Sequence, residues 1–336
     1  MNLEARINAF SQLGDHIRTL QTDEFNALMD AIAYQNPWFT TENVRMALQG
    51  IAKLLNKDDL TKWTSGYQLH PSSSKTIGLA MAGNIPLVGF HDFLSVLIAG
   101  HQVRAKLSSV DSILLPHLAS KLISFEPEFD KRIHFEERLN NIDAVIATGS
   151  DNTARYFEYY FRNIPHIIRK NRSSCAILSG NENAEQLSRL GKDVFSYFGL
   201  GCRNVSKLYL PQGYDLANLF PAWESLSQII HHHKYENNYD YQKSILLVNK
   251  IPFYDNGFVL LKQEEAFVSP ISVLFYEFYA SPEELITKIK IHQEKIQCIV
   301  SHKKWFDDSE DFGDAQFPDL TDYADKVDTL AFLEKI

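Results

Sequence analysis

The chain is short of several things that would announce a function. It has only three cysteines and four tryptophans in 336 residues. Cys175, Cys202 and Cys298 are odd in number and widely spaced, which fits neither a disulfide framework nor a cysteine zinc site. Positive charge is also in deficit. Lys and Arg number 33 against 42 Asp and Glu, a formal net charge of −9, so no overall basic field exists to hold nucleic acid or an anionic membrane. The longest apolar run, near residues 93–100, is far below the roughly 20 residues of a membrane span. Met1-Asn2-Leu3-Glu4-Ala5-Arg6 lacks the basic-then-apolar layout of a leader. A soluble, cytoplasmic protein is the expectation. The strict Gly-x-Gly-x-x-Gly fingerprint is missing too. His231-His232-His233 cannot form a metal site on a helix, where successive side chains point about 100° apart, so no metal is expected.

What is present is ordinary in amount and informative in order. Apolar residues make up 45% and charged residues 22%, as in an average globular protein, and the length suggests about two domains. Residues 1–66 carry apolar positions at helical spacing, broken at Asn36-Pro37-Trp38-Phe39 and capped again by Thr40 or Thr41. After the loop His70-Pro71-Ser72-Ser73-Ser74 the pattern changes. Short apolar runs at 76–81, 102–106 and 142–148 alternate with helical segments, one ending at Gly100. That alternation predicts a doubly wound parallel sheet. A further strand near Ser173 opens a second α/β domain. The division expected is 1–173 for the N-terminal helices and a dinucleotide-binding domain, and 174–336 for a catalytic domain with an acidic end. In that end, nine carboxylates between Asp307 and Asp328 meet a single base, Lys326.

Cys202 stands apart from the other cysteines. It lies in Phe198-Gly199-Leu200-Gly201-Cys202-Arg203-Asn204, where two glycines allow close backbone approach and Arg203 can favour a thiolate. A small buried hydrophobe is the competing reading, about equally weighted in this context. Cys175 and Cys298 sit in apolar strand runs and read as core. Gly149-Ser150 follows a strand and opens a helix, a place where amide groups can hold a phosphate. Lys106 ends its strand as either a cofactor ligand or a solvated terminus.

In order along the chain, these segments resemble the aldehyde dehydrogenase superfamily, and more specifically its acyl-CoA reductase branch, the LuxC family. Gly83-Asn84-Ile85-Pro86 resembles the turn that supplies the oxyanion-hole asparagine. Val103-Arg104-Ala105-Lys106-Leu107-Ser108-Ser109 is similar to the strand whose lysine holds the adenosine ribose. Thr148-Gly149-Ser150 resembles the pyrophosphate turn, and Gly199-Leu200-Gly201-Cys202 the approach to the nucleophile, with Leu200 where glutamine is usual. Glu264-Glu265-Ala266-Phe267 is similar to the segment whose second glutamate binds the nicotinamide ribose and whose aromatic supports the ring. Phe312-Gly313-Asp314-Ala315-Gln316 and the stretch from Leu320 to Thr329 are the most LuxC-like of all.

The resemblance implies an aldehyde dehydrogenase-like fold and reduction of an acyl thioester to an aldehyde through an acyl-cysteine. Cys202 and Asn84 would be catalytic. Lys106, Ser108, Ser109, Gly149, Ser150, Glu265 and Phe267 would bind NADPH. Coenzyme A thioester, or an acyl carrier protein, would be the donor, and a homodimer is compatible with this reading. Two departures shape it. Ile168-Arg169-Lys170-Asn171-Arg172 has no carboxylate to activate water, which argues against hydrolysis. Ser109 replaces the acid that often binds the adenosine 2′-hydroxyl, leaving room for a 2′-phosphate. The same machinery run oxidatively, as a CoA-acylating dehydrogenase, and a degenerate acyl-binding subunit are the alternatives.

Overall fold

A computed structural model describes residues 1–70 and 73–336; Pro71 and Ser72 of the expected loop lie outside the described residues. The chain divides into two units. One comprises residues 1–171 together with 318–336, the other residues 172–317.

The first unit begins with helices α1 (Leu3–Arg18), α2 (Thr22–Ile32), α3 (Thr41–Leu54) and α4 (Lys57–Thr64). Thr40 caps α3 by accepting from the Asn43 amide, as the sequence pattern predicts. A parallel sheet follows, built from β1 (Thr76–Ala80), β2 (Gln102–Lys106), β3 (Ile133–Phe135), β4 (Ala144–Thr148) and β5 (His166–Arg169) in the order β3-β2-β1-β4-β5. The crossovers are α5 (Phe90–Ala99), α6 (Leu114–Phe125) and α7 (Asp151–Phe161). Helix α5 is apolar nearly all round and is buried from Phe93 to Ala99, which marks it as an interior helix. It stops at Gly100, whose φ of 94° is left-handed, a backbone that glycine adopts without a Cβ penalty.

The second unit holds β6 (Ser173–Ile177), α8 (Ala184–Phe195), β7 (Val205–Pro211), α9 (Leu219–Trp223), α10 (His233–Val248), β8 (Tyr254–Asp255), β9 (Leu260–Gln263), β10 (Val273–Tyr279), α11 (Pro282–Ile291), β11 (Ile296–Ser301) and β12 (Ser309–Glu310). Its sheet runs β12-β11-β6-β7-β10-β9-β8, parallel except for the β8–β9 pair. Strand β7 is buried along nearly its whole length, Lys207 included.

The chain's end departs from the division expected from the sequence. Residues 318–336, which carry the final helix α12 (Thr329–Glu334), belong to the first unit. Apolar burial is the reason: Leu320, Tyr323, Leu330 and Leu333 enter that unit's core. Polar anchors add to it. Tyr323 accepts from the Trp63 indole at 2.7 Å, Tyr67 donates to Asp328 at 2.8 Å, and Lys53 pairs with Asp319 at 2.8 Å. Much of the acidic stretch is therefore engaged residue by residue. Asp328, for example, caps α12 through the Ala331 amide at 2.8 Å.

Arg169 is the central anchor. Buried at the end of β5, it pairs with Asp92 at 2.6 Å and donates to Thr329 Oγ1 at 3.1 Å and the Ala324 carbonyl at 2.5 Å. Arg169→Met should cost about 3–5 kcal/mol, because Asp92, whose side chain is only 14% exposed, is left without its partner. Urea unfolding measures the loss, and hydrogen exchange should report lost protection in α12. A wild-type midpoint with α12 still protected would show that the anchor lies elsewhere.

Candidate active site

Cys202 sits on a turn between a 3₁₀ segment after α8 and the start of β7. The approach is strained: Tyr197, Phe198 and Gly199 take φ values of 51°, 59° and 78° in succession. Non-glycine residues in that region cost on the order of 1 kcal/mol each, so the surroundings must impose the conformation. Asn204, 1% exposed, does much of this. Its side-chain oxygen accepts from the Gly201 amide at 2.8 Å, and its NH₂ donates to the carbonyls of Asp193 at 3.1 Å and Ser196 at 2.8 Å. From the sheet, Ser174 Oγ donates to the Cys202 carbonyl at 3.0 Å. Arg203 Nε donates to the Ala315 carbonyl at 2.5 Å. The turn is thus fixed from a helix end, a strand and a loop.

The other two thiols differ. Cys175 is fully buried, and burial pushes its thiol far up. Burial also pushes Cys298 up to about 11, against the pull of Arg203 and of Ser174, whose Oγ lies 3.0 Å from its sulfur. Cys202 is half-buried on its turn, outside any strand.

The cofactor candidates fall into separate groups. In the first unit, Asn84 is exposed on the turn after β1. That turn is held tightly. A Cβ on Gly83 would come within 2.6 Å of Ser108 Oγ, so only glycine lets this turn close on the end of β2. Asn36 Nδ2 donates to the Gly83 carbonyl at 3.3 Å. Asp111 points inward rather than toward solvent: it is 6% exposed and accepts from the Leu87 amide at 2.9 Å. Lys106 and Ser109 are exposed at and beyond the end of β2, with Ser108 half-buried between them. Glu136, just after β3, pairs with Arg104 at 3.4 Å. Gly149 and Ser150 open α7, Ser150 accepting from the Thr153 amide at 3.2 Å as its cap.

In the second unit, Glu265 is exposed but Phe267 is not. Phe267 is 2% exposed, with its ring stacked on His292 at 5.2 Å. The expected ring-supporting face is packed into the interior with Cys175, Tyr209 and Ile296. Phe267 therefore anchors the segment that presents Glu265.

Several site-shaping residues escaped the sequence reading. Lys207, fully buried on β7, pairs with Glu277 at 2.6 Å and donates to the carbonyls of Glu264 and Ala266. Burial lowers its pKa while Glu277 acts in the opposite direction. Ser206 donates to the Phe267 carbonyl at 3.0 Å. Together they hold residues 264–267 against the strand that follows Cys202. The signal was available, since a lysine inside the run Val205-Ser206-Lys207-Leu208-Tyr209-Leu210 needs a buried partner.

No family model matches the sequence. No curated protein matches it by sequence either. Solved structures do match, and the fold is that of the aldehyde dehydrogenases. Bifunctional proline utilization A superposes with a TM-score of 0.68 at 13% identity, covering 90% of this chain. This chain spans only about a third (36%) of that one. An aldehyde dehydrogenase C mutant from Pseudomonas syringae, complexed with NAD+ and octanal, gives 0.65 at 12% identity, covering 90% of this chain and 73% of that one. Aldehyde dehydrogenase 21 from Physcomitrella patens, complexed with succinate, gives 0.63 at 11%, covering 90% and 73%. Among the described residues no cluster of His, Cys, Asp and Glu suited to a metal occurs, and no helix is long and apolar enough to cross a membrane.

Asp111 yields a pH prediction. Burial raises its pKa to about 6, against the Leu87 amide, whereas an unfolded aspartate titrates near 3.9. Between about pH 4 and about pH 6 the folded chain holds a proton that the unfolded chain releases, so rising pH subtracts stability across that window. Asp111→Asn keeps an acceptor for Leu87 and abolishes the titration. Its melting temperature relative to wild type should therefore improve from pH 4 to pH 7.5, by an amount worth roughly 1–3 kcal/mol. A difference independent of pH would show that Asp111 does not titrate in this range.

Proposed function

We propose that the protein reduces an acyl thioester, with coenzyme A as the carrier, to an aldehyde at the expense of NADPH. The observation that carries this reading is the Cys202 turn, strained and held by Asn204, Ser174 and Arg203 on an aldehyde dehydrogenase fold. Of the three cysteines it alone lies on a turn outside the strands. Cys202 would attack the thioester carbonyl as thiolate, forming a C–S bond and expelling the coenzyme A thiolate. The Cys202 amide would hold the oxyanion, a donor worth about 3–4 kcal/mol when preorganised. The acyl-enzyme would be reduced to a thiohemiacetal, whose collapse returns the thiolate and releases the aldehyde.

The residues fit a dinucleotide in their donor set. In the first unit, Lys106, Ser108 and Ser109 at the end of β2 and the cap of α7 at Gly149 and Ser150 offer cation, hydroxyl and amide groups to ribose and phosphate. A bound NADPH would supply the hydride. Phosphate at the 2′ position is favoured because no acid precedes Asp111 after β2, and the Asp111 carboxylate is taken by Leu87. The stretch from Ile168 to Arg172 has no carboxylate, and its Arg169 is committed to Asp92, which supports reduction over hydrolysis. Octanal, held by the Pseudomonas syringae enzyme, is the kind of apolar aldehyde this reaction would release.

The test is mass spectrometry of the protein mixed with acyl-CoAs of graded chain length, without cofactor. An acyl adduct should appear on Cys202 and vanish in Cys202→Ala. An adduct on Cys175 or Cys298, or none with any chain length, would overturn the assignment. For the cofactor, kcat/KM should favour NADPH over NADH by roughly 10- to 100-fold. Ser109→Glu should lower that ratio chiefly by weakening NADPH. Equal values in the wild type would remove Ser109 as the discriminating position.

A further inference from the structure

Asp193 is a carboxylate with no contact to solvent, at the C-terminal end of α8. Its oxygens serve two donors from the same loop: Oδ2 accepts from the Gly313 amide at 2.6 Å, and Oδ1 from the Ala315 amide at 3.2 Å. Gly313 has a φ of 87°, a backbone that this double attachment helps to hold. The Ala315 carbonyl in turn receives Arg203 Nε, and the Asp193 carbonyl receives Asn204 Nδ2 at 3.1 Å. Asp193 thus touches the Cys202 turn by two routes, one through its own backbone and one through the 313–315 loop.

We propose that Asp193 is a positioning residue for Cys202: by clamping Gly313 and Ala315 it docks Arg203 and sets the orientation of the turn that carries the thiol. This rests on the reading of Cys202 as nucleophile. The side-chain chemistry is specific. Two N–H donors require two acceptor oxygens on one short side chain, which among the natural residues only aspartate provides at this length. The neighbouring asparagine-type amide cannot replace it, because its NH₂ would face one of the two amides donor to donor. Burying a carboxylate without a cation at contact distance is costly, and burial raises this one to about 7 despite both amide bonds. The charged neighbours felt at Asp193 are Asp314, which raises it further, and Arg189, which lowers it; Asp193 in turn raises the Cys298 thiol of β11. A group held at such cost, and joined to the nucleophile's turn by two paths, is placed for positioning.

The experiment is Asp193→Asn in the full chain, read in two ways. Labelling of Cys202 by iodoacetamide, followed by peptide mapping, gives thiol access without any substrate. Rapid-quench acylation by an acyl-CoA gives a rate constant and an amplitude separately. Positioning predicts that the acylation rate constant falls roughly 10- to 100-fold at an amplitude close to wild type, with KM for the nucleotide unchanged. A merely structural role would lower the amplitude, the fraction of folded protein, and leave the rate constant alone; that result overturns the proposal. If Asp193→Asn does not fold, Arg203→Met decides instead, since it cuts the docking on Ala315 without burying a charge. Its acylation rate, taken on the high-pH plateau where thiolate formation is complete, should fall as well, and a wild-type plateau rate would sink the proposal. Should Cys202 alkylate normally in the wild type while no acyl-CoA acylates it, the functional reading fails, and the alkylation rates alone then judge the role of Asp193.

Discussion

The amide side chain of Asn204 closes a small ring of hydrogen bonds on which the candidate site depends. It satisfies one backbone donor, at Gly201, and carbonyls at the end of α8 that the helix itself leaves without partners. In doing so it converts the end of a helix into a support for a turn. Three consecutive left-handed residues are tolerated just upstream because both ends of that stretch are pinned, at Ser196 and at Gly201. Strand β7 begins at the very next residue, so the orientation of the turn passes directly into the central part of the second unit's sheet.

The same economy recurs at three other buried charges. Asp111 holds the turn after β1 through the Leu87 amide, Lys207 holds residues 264–266 through two carbonyls, and Arg169 holds the C-terminal segment through a carbonyl and a hydroxyl. In each case a fixed charge inside the protein addresses backbone dipoles, which are stronger partners there than in water. Loops otherwise free to sample many conformations are thereby tied to sheets and helices, leaving short polar side chains at their tips.

The sequence carried the architecture well, because the change of hydrophobic period near residue 76 and the alternation of short apolar runs with helical segments are local signals. Strand β2 coincides with the expected run, and α5 ends at the expected glycine. The placement of Cys202 on a turn was legible for the same reason: two nearby glycines interrupt both helical and strand patterns. What was not legible depends on direction. Whether the Asp111 carboxylate turns outward to a ribose or inward to Leu87, and whether the Phe267 ring faces a ligand or His292, is settled by contacts between segments remote in sequence. The course of residues 318–336 is a case of the same kind. Continuity of the chain assigned them to the catalytic domain as its acidic end, while Leu320, Tyr323, Leu330 and Leu333 do not by their spacing announce which core receives them.

The path of that last segment has a consequence for how the molecule comes to be folded. The second unit is an uninterrupted stretch of chain, residues 172–317, whereas the first is assembled from two pieces separated by all of it. During synthesis the second unit has every residue it needs before the first does. The usual N-to-C order of domain folding is thus inverted: the sheet of β1 to β5 can form early with Arg169 paired to Asp92, but the Arg169 contacts to Ala324 and Thr329 wait until residues 318–336 have been made. Bringing them in closes a long loop, and prior folding of the inserted unit shortens that loop's effective length and its entropic cost. The nascent first unit is consequently the stage at which a chaperone would have most to hold.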